Sequence, residues 1–261
     1  MVNPEARPGL RWLSCGEDSS PPGTAWLSER ERGYLDTIRF TKRRTEFLLR
    51  RHTGKRAVAA ALGLPTDDAA LARVEILNRL TGAPYVQVDG ERAALDISLT
   101  DRAGWGVALV GSEGAMAAGT LGVDLEIVEP RTEGFVSDFL TPVEQDYVAS
   151  RGRGDGWDAA ANLVWSAKEA ALKVLRVGLR ADTRTVEVTV DHDGDPQEGG
   201  WQRLSVRHAE GQVFPGWWRR DGVFLLTIAA LDDTPPPAHL PGGDDLTSAT
   251  PIHSWLDNPQ V

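Results

Sequence analysis

An acidic chain of 261 residues, with 38 Asp/Glu against 28 Lys/Arg and a formal net charge of −10, lacks the overall basic surface that displaces phosphate counterions. Broad non-specific binding to nucleic acid is therefore not expected. The composition, 41% hydrophobic and 25% charged, is that of a soluble globular protein, and no window of about 18 uninterrupted apolar residues offers a bilayer span, so no membrane partner is expected. The single Cys15 cannot form an internal disulfide, and one cysteine with five histidines shows no zinc-ligand spacing. The opening "MVNPEARPGLRWLSCGED" has two prolines and no apolar core of signal-peptide length, and a reducing cytoplasm is the expected location.

From Ser28 to Leu62 the pattern is helical, with Ser28 as N-cap, an apolar stripe through Phe47, Leu48, Ala57, Val58 and Ala61, and "GLP" at 63–65 as the stop. Within it "RFTKRRTEFLLRRHTGKR", residues 39–56, has eight Lys/Arg and one Glu, a strongly basic patch in an acidic protein. Strand signals follow in "VEILNR" (74–79), then the turn "TGAP" (81–84), "YVQV", the turn Asp89-Gly90, and "ALDISL" running into "GWGVALVG". The second half repeats helix and strand: a strand at 119–128, a helix from about Thr141, another from Trp157 to Val177, and the strands "TVEVTVD", "QRLSVRH" and "VFLLTIAAL".

The class expected is α+β, with two similar halves related by a pseudo-twofold axis and the active site in the cleft between them. The units expected are 1–112, 113–232 and a flexible or surface-draped C-terminal tail at 233–261, rich in Pro, Gly and Asp, with Trp255 available to pin its end; the join falls near "GSEGAM", 111–116. Such a chain contains its own pseudo-dimer interface and is expected to be a monomer.

In "GVDLEIV" the strand period of two puts Asp124 and Glu126 on one face, roughly 6–7 Å apart, with Val123, Leu125 and Ile127 on the other. Two carboxylates facing a cleft suit magnesium, which takes a few carboxylates together with waters and substrate phosphates; a half-buried strand with a solvated polar face has the same pattern. In "WSAKEAALKVL" (165–175), Glu169 and Lys173 share a helix face while Lys168 lies roughly 100° around, which is also the pattern of an ordinary i,i+4 ion pair. The conjunction of the three segments is more informative than any of them: a two-carboxylate strand, a Lys-Glu-x-x-x-Lys helix and an upstream basic helix are the parts of a site for a metal-bound polyphosphate.

"GVDLE", "FLTPVEQ" and "WSAKEAALKVLRVGL", preceded by "KRRTEFLLRRHTGKRAVA" and "GAPYVQVDGERAALDISLTDRAGWGVALV", resemble in order and spacing the signature series of the 4'-phosphopantetheinyl transferases, in their two-lobed, surfactin-type class, over about residues 25–190. The resemblance implies transfer of the 4'-phosphopantetheine arm of coenzyme A to a serine of an apo acyl or peptidyl carrier protein, with release of adenosine 3',5'-bisphosphate. It implies Asp124, Glu126 and Glu169 as ligands of Mg2+, with Mn2+ as a substitute. Glu169 would also be the general base, directly or through a metal-bound water, and Lys173 the cation beside the departing phosphate. Arg51 and Arg44, then Lys55, Arg79 and Lys168, are the expected coenzyme-phosphate cations, and Ser98 and Thr100 sit where the family's segment touches the nucleotide.

The chain departs from the family pattern at two places: Asp101 stands where the family has histidine, and Arg50 stands where it has the glycine of "AGR". Arg102, held by Asp101, is expected to replace the lost histidine charge. The competing readings are a non-catalytic coenzyme A or nucleotide-binding module, which has little use for the four residues Asp124, Glu126, Glu169 and Lys173 together, and a magnesium-dependent phosphohydrolase, whose nucleophile motif is missing.

Overall fold

Ser28 begins a helix because its hydroxyl accepts the Glu31 amide while the Glu31 carboxylate accepts the Ser28 amide, a reciprocal capping box. The computed structural model describes residues 9–112, 121–176, 182–191 and 200–252. The N-terminal half runs β1 (Arg11–Gly16), α1 (Glu29–Thr37), α2 (Thr41–Leu62), α3 (Asp68–Arg73), β2 (Val74–Asn78), β3 (Pro84–Val88), β4 (Glu91–Arg92), β5 (Leu95–Arg102) and β6 (Trp105–Ser112). The C-terminal half runs β7 (Leu121–Ile127), α4 (Glu133–Phe139), α5 (Pro142–Ser150), α6 (Asp155–Leu175), β8 (Val186–Val190), β9 (Gln202–His208), β10 (Val213–Asp221) and β11 (Phe224–Ala230), with β12 (Ala238–His239) beyond it. The architecture is α+β, as expected.

The helix expected over 28–62 is two helices, because the backbone is extended at Ile38 and Phe40. Arg44 reaches back from α2 to donate to the carbonyls of Leu35 (2.7 Å) and Ile38 (3.2 Å), which satisfies the free end of α1. Gly63, at φ 68°, closes α2 in the left-handed conformation where a Cβ is disfavoured. Strand β10 escaped sequence reading because "VFPGWWRRD" contains Pro215 and Gly216; Pro215 is tolerated because the ladder with β11 begins only at Gly216, so at Pro215 the strand pairs with β9 alone.

In sheet order the C-terminal half is β7-β11-β10-β9-β8, and the N-terminal half has β1-β6-β5 with the β2-β3-β4 ladder set against β5. Each half lays its long helix, α2 or α6, on one face of its sheet. The opposite faces meet in a shared core of Trp12, Val107 and Leu109 from one half and Val123, Leu125, Trp217, Phe224 and Ile228 from the other. At the seam Ser98 and Thr100 of β5 accept the amides of Val123 (3.1 Å) and Leu125 (3.3 Å) of β7, so side chains complete the hydrogen bonding that no strand partner supplies there.

The halves repeat one buried device. Lys55 of α2 is fully buried and donates to Glu31 (2.5 Å) and to the carbonyls of Trp26 and Leu71, while Glu31 accepts the Ile76 amide in the middle of β2. Lys168 of α6 is equally buried and donates to Glu144 (2.8 Å) and to the carbonyls of Thr183 and Val186, while Glu144 accepts the Val188 amide. Glu31 and Glu144 are each the third residue of a capping box, at Ser28 and Thr141. In each half 24 positions separate the glutamate from the lysine. This internal duplication is invisible to residue-by-residue comparison because only the charge pair and its carbonyl cage are kept.

Along 233–252 the tail, expected to be flexible or surface-draped, lies against the N-terminal half. β12 pairs in parallel with β1, Asp244 accepts the Gly16 amide (2.8 Å) and Ser19 Oγ, Leu240 and Leu246 are buried, and the Trp105 indole donates to the Thr250 carbonyl (2.8 Å). Apolar residues at wide spacing and a few backbone bonds, rather than any periodicity, hold it. Trp255, the join at 113–116 and the end of the expected helix at Val177 lie outside the described residues.

His52 on α2 is buried against the edge of Trp26, with ring centroids 5.5 Å apart, and burial followed by Arg56 pushes its pKa down to about 4. A histidine held neutral in the fold but free to protonate when unfolded stabilises fully above its ordinary pKa, and that contribution is lost as pH falls from about 6.5 toward 4. Wild type is expected to lose up to ~3 kcal/mol across this window relative to its loss in His52→Gln, measured by urea denaturation at each pH.

Candidate active site

A cleft of about 360 Å³ opens between the halves, walled on one side by Arg50, Leu99, Thr100, Asp101 and Arg102 and on the other by Asp124, Leu125, Glu126, Glu169 and Lys173. The alternation expected of β7 holds: Val123 and Leu125 enter the shared core, and Asp124 and Glu126 face the cleft. Glu169 and Lys173, one turn apart on α6, meet them there.

Close contact between β7 and α6 makes this meeting possible. Ala167, Ala170 and Ala171 are fully buried, and a Cβ on Gly122 would stand 2.0 Å from the Ala170 carbonyl oxygen and 3.2 Å from Lys173 Cβ. Neither backbone can yield without moving a carboxylate. Gly122→Ala is expected to destabilise by about 2–3 kcal/mol and to lower the activity of the protein that still folds, measured by denaturation and single-turnover assay. Gly54→Ala, whose nearest neighbours are the side-chain ends of Ile76 and Leu99, is the milder control.

Asp124 is the hub. Its Oδ1 accepts Lys173 Nζ (2.9 Å) and Thr100 Oγ1 (3.2 Å), and its Oδ2 accepts Ser166 Oγ (2.8 Å), which also shares a hydrogen bond with Thr227. Lys173 Nζ further donates to the Val123 carbonyl (2.7 Å). Glu126 stands 3.0 Å from Arg102 Nε and 3.6 Å from Arg131, and both arginines also reach Glu129, at 2.6 and 3.3 Å. Burial, then the neighbouring Asp124, pushes the Glu126 carboxyl up to about 7, against the arginines. Burial, then Asp124, does the same to Glu169, also to about 7, against Lys173.

Asp124, Glu126 and the half-buried Glu169 bring three hard-oxygen carboxylates to one cleft, and burial together with the neighbouring Asp124 raises the pKa of Glu126 and of Glu169. That chemistry fits a magnesium-type ion. Among the described residues, however, no group of three ligating side chains stands close enough to be a preformed metal cage; Lys173 and Arg102 sit against the carboxylates instead.

The structure places several expected coenzyme residues elsewhere. Lys55 and Lys168 are fully buried in their carbonyl cages and do not line the cleft. Arg44 is tied to α1. Arg51 is buried beside Glu31 (3.8 Å) and over the Phe47 ring, and Arg79 stacks on Tyr85; none of these three lines the cleft. Ser98 is a seam residue, whereas Thr100 is both seam and cleft wall. Arg102 is held by Glu126 and Glu129, not by Asp101, whose ion-pair partner is Arg50. Sequence reading missed Arg50 as a cleft residue. It also missed Ser166, which the helix period places three positions before Glu169, and Arg131, which had no local signal.

Residues 120–225, from β7 through β10, match the family model described as the 4'-phosphopantetheinyl transferase superfamily. The matched segment holds Asp124, Glu126, Glu169 and Lys173. A holo-(acyl-carrier-protein) synthase from Bacillus anthracis str. Ames, solved in complex with CoA (3',5'-ADP), is 19% identical, with 40% of this chain and 94% of that one covered and a TM-score of 0.33. The Thermotoga maritima holo-[acyl-carrier-protein] synthase is 23% identical, with 51% and 74% covered and a TM-score of 0.31. The comparison with curated proteins gave no match.

Proposed function

We propose that this chain transfers the 4'-phosphopantetheine arm of coenzyme A to a serine hydroxyl of an apo acyl or peptidyl carrier protein and releases adenosine 3',5'-bisphosphate. The observation that carries the reading is the convergence of Asp124 and Glu126 of β7 with Glu169 and Lys173 of α6 in one cleft between the halves.

Glu169 faces the cleft and accepts the proton of the attacking serine, whose oxygen bonds to the phosphorus that bears the pantetheine arm. The bond from that phosphorus to the oxygen of the adenosine-side phosphate breaks, and Lys173, one turn away, places its ammonium where the departing charge grows. Asp124 aims Lys173, and Ser166 and Thr100 aim Asp124. Asp124, Glu126 and Glu169 would hold Mg2+, or Mn2+ in its place, whose contribution is to neutralise the diphosphate oxygens. The exposed Phe139 and Val143, with the rings of Phe135, Phe139 and Trp165 packed tilted or edge-on at centroid distances of 5.1–5.3 Å, offer the carrier an apolar landing. We place the reaction in the cytoplasm and assign it to a monomer.

Incubation with coenzyme A, magnesium and several apo carriers tests this by mass spectrometry. Gain of one phosphopantetheine unit supports transfer. Coenzyme A binding without gain favours a binding module, and coenzyme A cleavage without gain favours a phosphohydrolase.

A further inference from the structure

The cleft has a charge logic of its own. Its C-terminal wall offers three carboxylates and Lys173; its N-terminal wall offers two guanidinium groups, Arg50 and Arg102. These two are not equivalent. Arg102 bridges the halves, bound to Glu126 and Glu129 of the opposite wall. Arg50 is paired within its own wall, to Asp101, and its side chain is one-third exposed while that of Asp101 is largely buried. Of the cations on the basic helix α2, Arg50 is the one that lines this cleft.

The pair also joins the two positions where the chain departs from the signature pattern, residues 50 and 101, which are 51 apart in sequence. A guanidinium carries five N–H donors along three edges, and Asp101 engages it through Nη1. Asp101 can hold one edge while the rest of the fork meets a bidentate anion. Opposite it stands the acidic wall, so an anion reaching Arg50 would be a phosphate oxygen of a ligand that a cation has carried to the carboxylates.

Resting on the transfer reading, we propose that Arg50 is a substrate-binding residue that contacts the diphosphate of coenzyme A, with Asp101 as the residue that positions its guanidinium. Arg50 thereby supplies an anion contact on the N-terminal wall, a task expected from the sequence to fall to Arg51 and Arg44, then Lys55, Arg79 and Lys168, with Arg102 in place of the lost histidine.

The test is calorimetric binding of coenzyme A and of dephospho-coenzyme A, with magnesium, to wild type, Arg50→Gln, Arg50→Lys and Asp101→Asn, together with carrier modification. Arg50→Gln is expected to weaken both ligands equally, by about 10–100-fold, Arg50→Lys by less, and Asp101→Asn by less than threefold, with the KM for carrier unchanged. Three results would overturn the assignment while leaving the transferase reading intact. They are unchanged coenzyme A affinity in Arg50→Gln with wild type active; a loss seen with coenzyme A but absent with dephospho-coenzyme A, which would put Arg50 on the 3'-phosphate; and equal losses in Arg50→Gln and Asp101→Asn, which would make the pair structural. A wild type that neither binds coenzyme A nor modifies a carrier overturns the assignment and the transferase reading together.

Discussion

Glu169→Gln is expected to lower the rate of carrier modification by about 10²–10⁴-fold at saturating magnesium and coenzyme A, because an amide retains an oxygen toward the cleft but cannot take the serine proton. The variant should fold as well as wild type, since removing a half-buried carboxylate that Asp124 and Glu126 oppose relieves repulsion. Asp124→Asn separates the other function of the cleft. It loses the ion pair with Lys173 and is expected to raise the magnesium concentration needed for half-maximal rate, with a smaller loss at saturation. Single-turnover rates across a magnesium titration check both. A Glu169→Gln rate within threefold of wild type would remove the general-base assignment and leave the residue at most a ligand.

Lys168→Met is expected to cost about 3–5 kcal/mol of stability, the typical penalty for stranding one member of a buried ion pair. Glu144 would remain fully buried without its ammonium, and the carbonyls of Thr183 and Val186 would lose their donor. Burial already pushes the Lys168 ammonium below and the Glu144 carboxyl above their ordinary pKa values, so each charge exists there only because of the other. Lys55→Met should cost a similar amount in the N-terminal half, and Lys168→Met combined with Glu144→Gln should recover part of the loss. Urea denaturation measures the cost. The KM for coenzyme A of the folded fraction decides the role: unchanged, it confirms a structural lysine, and raised tenfold, it returns Lys168 to the coenzyme.

The signature stretch "WSAKEAALKVL" shows how unevenly function was written in the chain. Helix periodicity was enough to put Glu169 and Lys173 on one face, and strand periodicity enough to pair Asp124 with Glu126, because both are local consequences of backbone geometry. Lys168 sits one position from Glu169, yet it serves the fold. Nothing local distinguishes a lysine aimed at a phosphate from one aimed at Glu144, 24 positions away, and at two carbonyls of the segment after the helix.

The same limit governs the basic helix. Its excess of charge was plain, but which cation faces the cleft depends on where α1, β5 and the C-terminal segment lie against it. Arg44 is taken by the carbonyls of α1, Lys55 by Glu31 and Arg56 by the Gly242 carbonyl, while Arg50 is turned by Asp101 into the site.

By itself, then, the sequence determined the class of fold, most of its strands and long helices, the two cleft-facing carboxylates and the acid–lysine pair of α6, all of which follow from residue spacing. Tertiary structure alone decided the partners of the buried Lys55 and Lys168, the fixing of the tail along β1 and the meeting of Arg50 with Asp101. A charge's partner is set by distance in space and by the cost of leaving it unpaired away from water, and neither quantity is carried by neighbours in the chain.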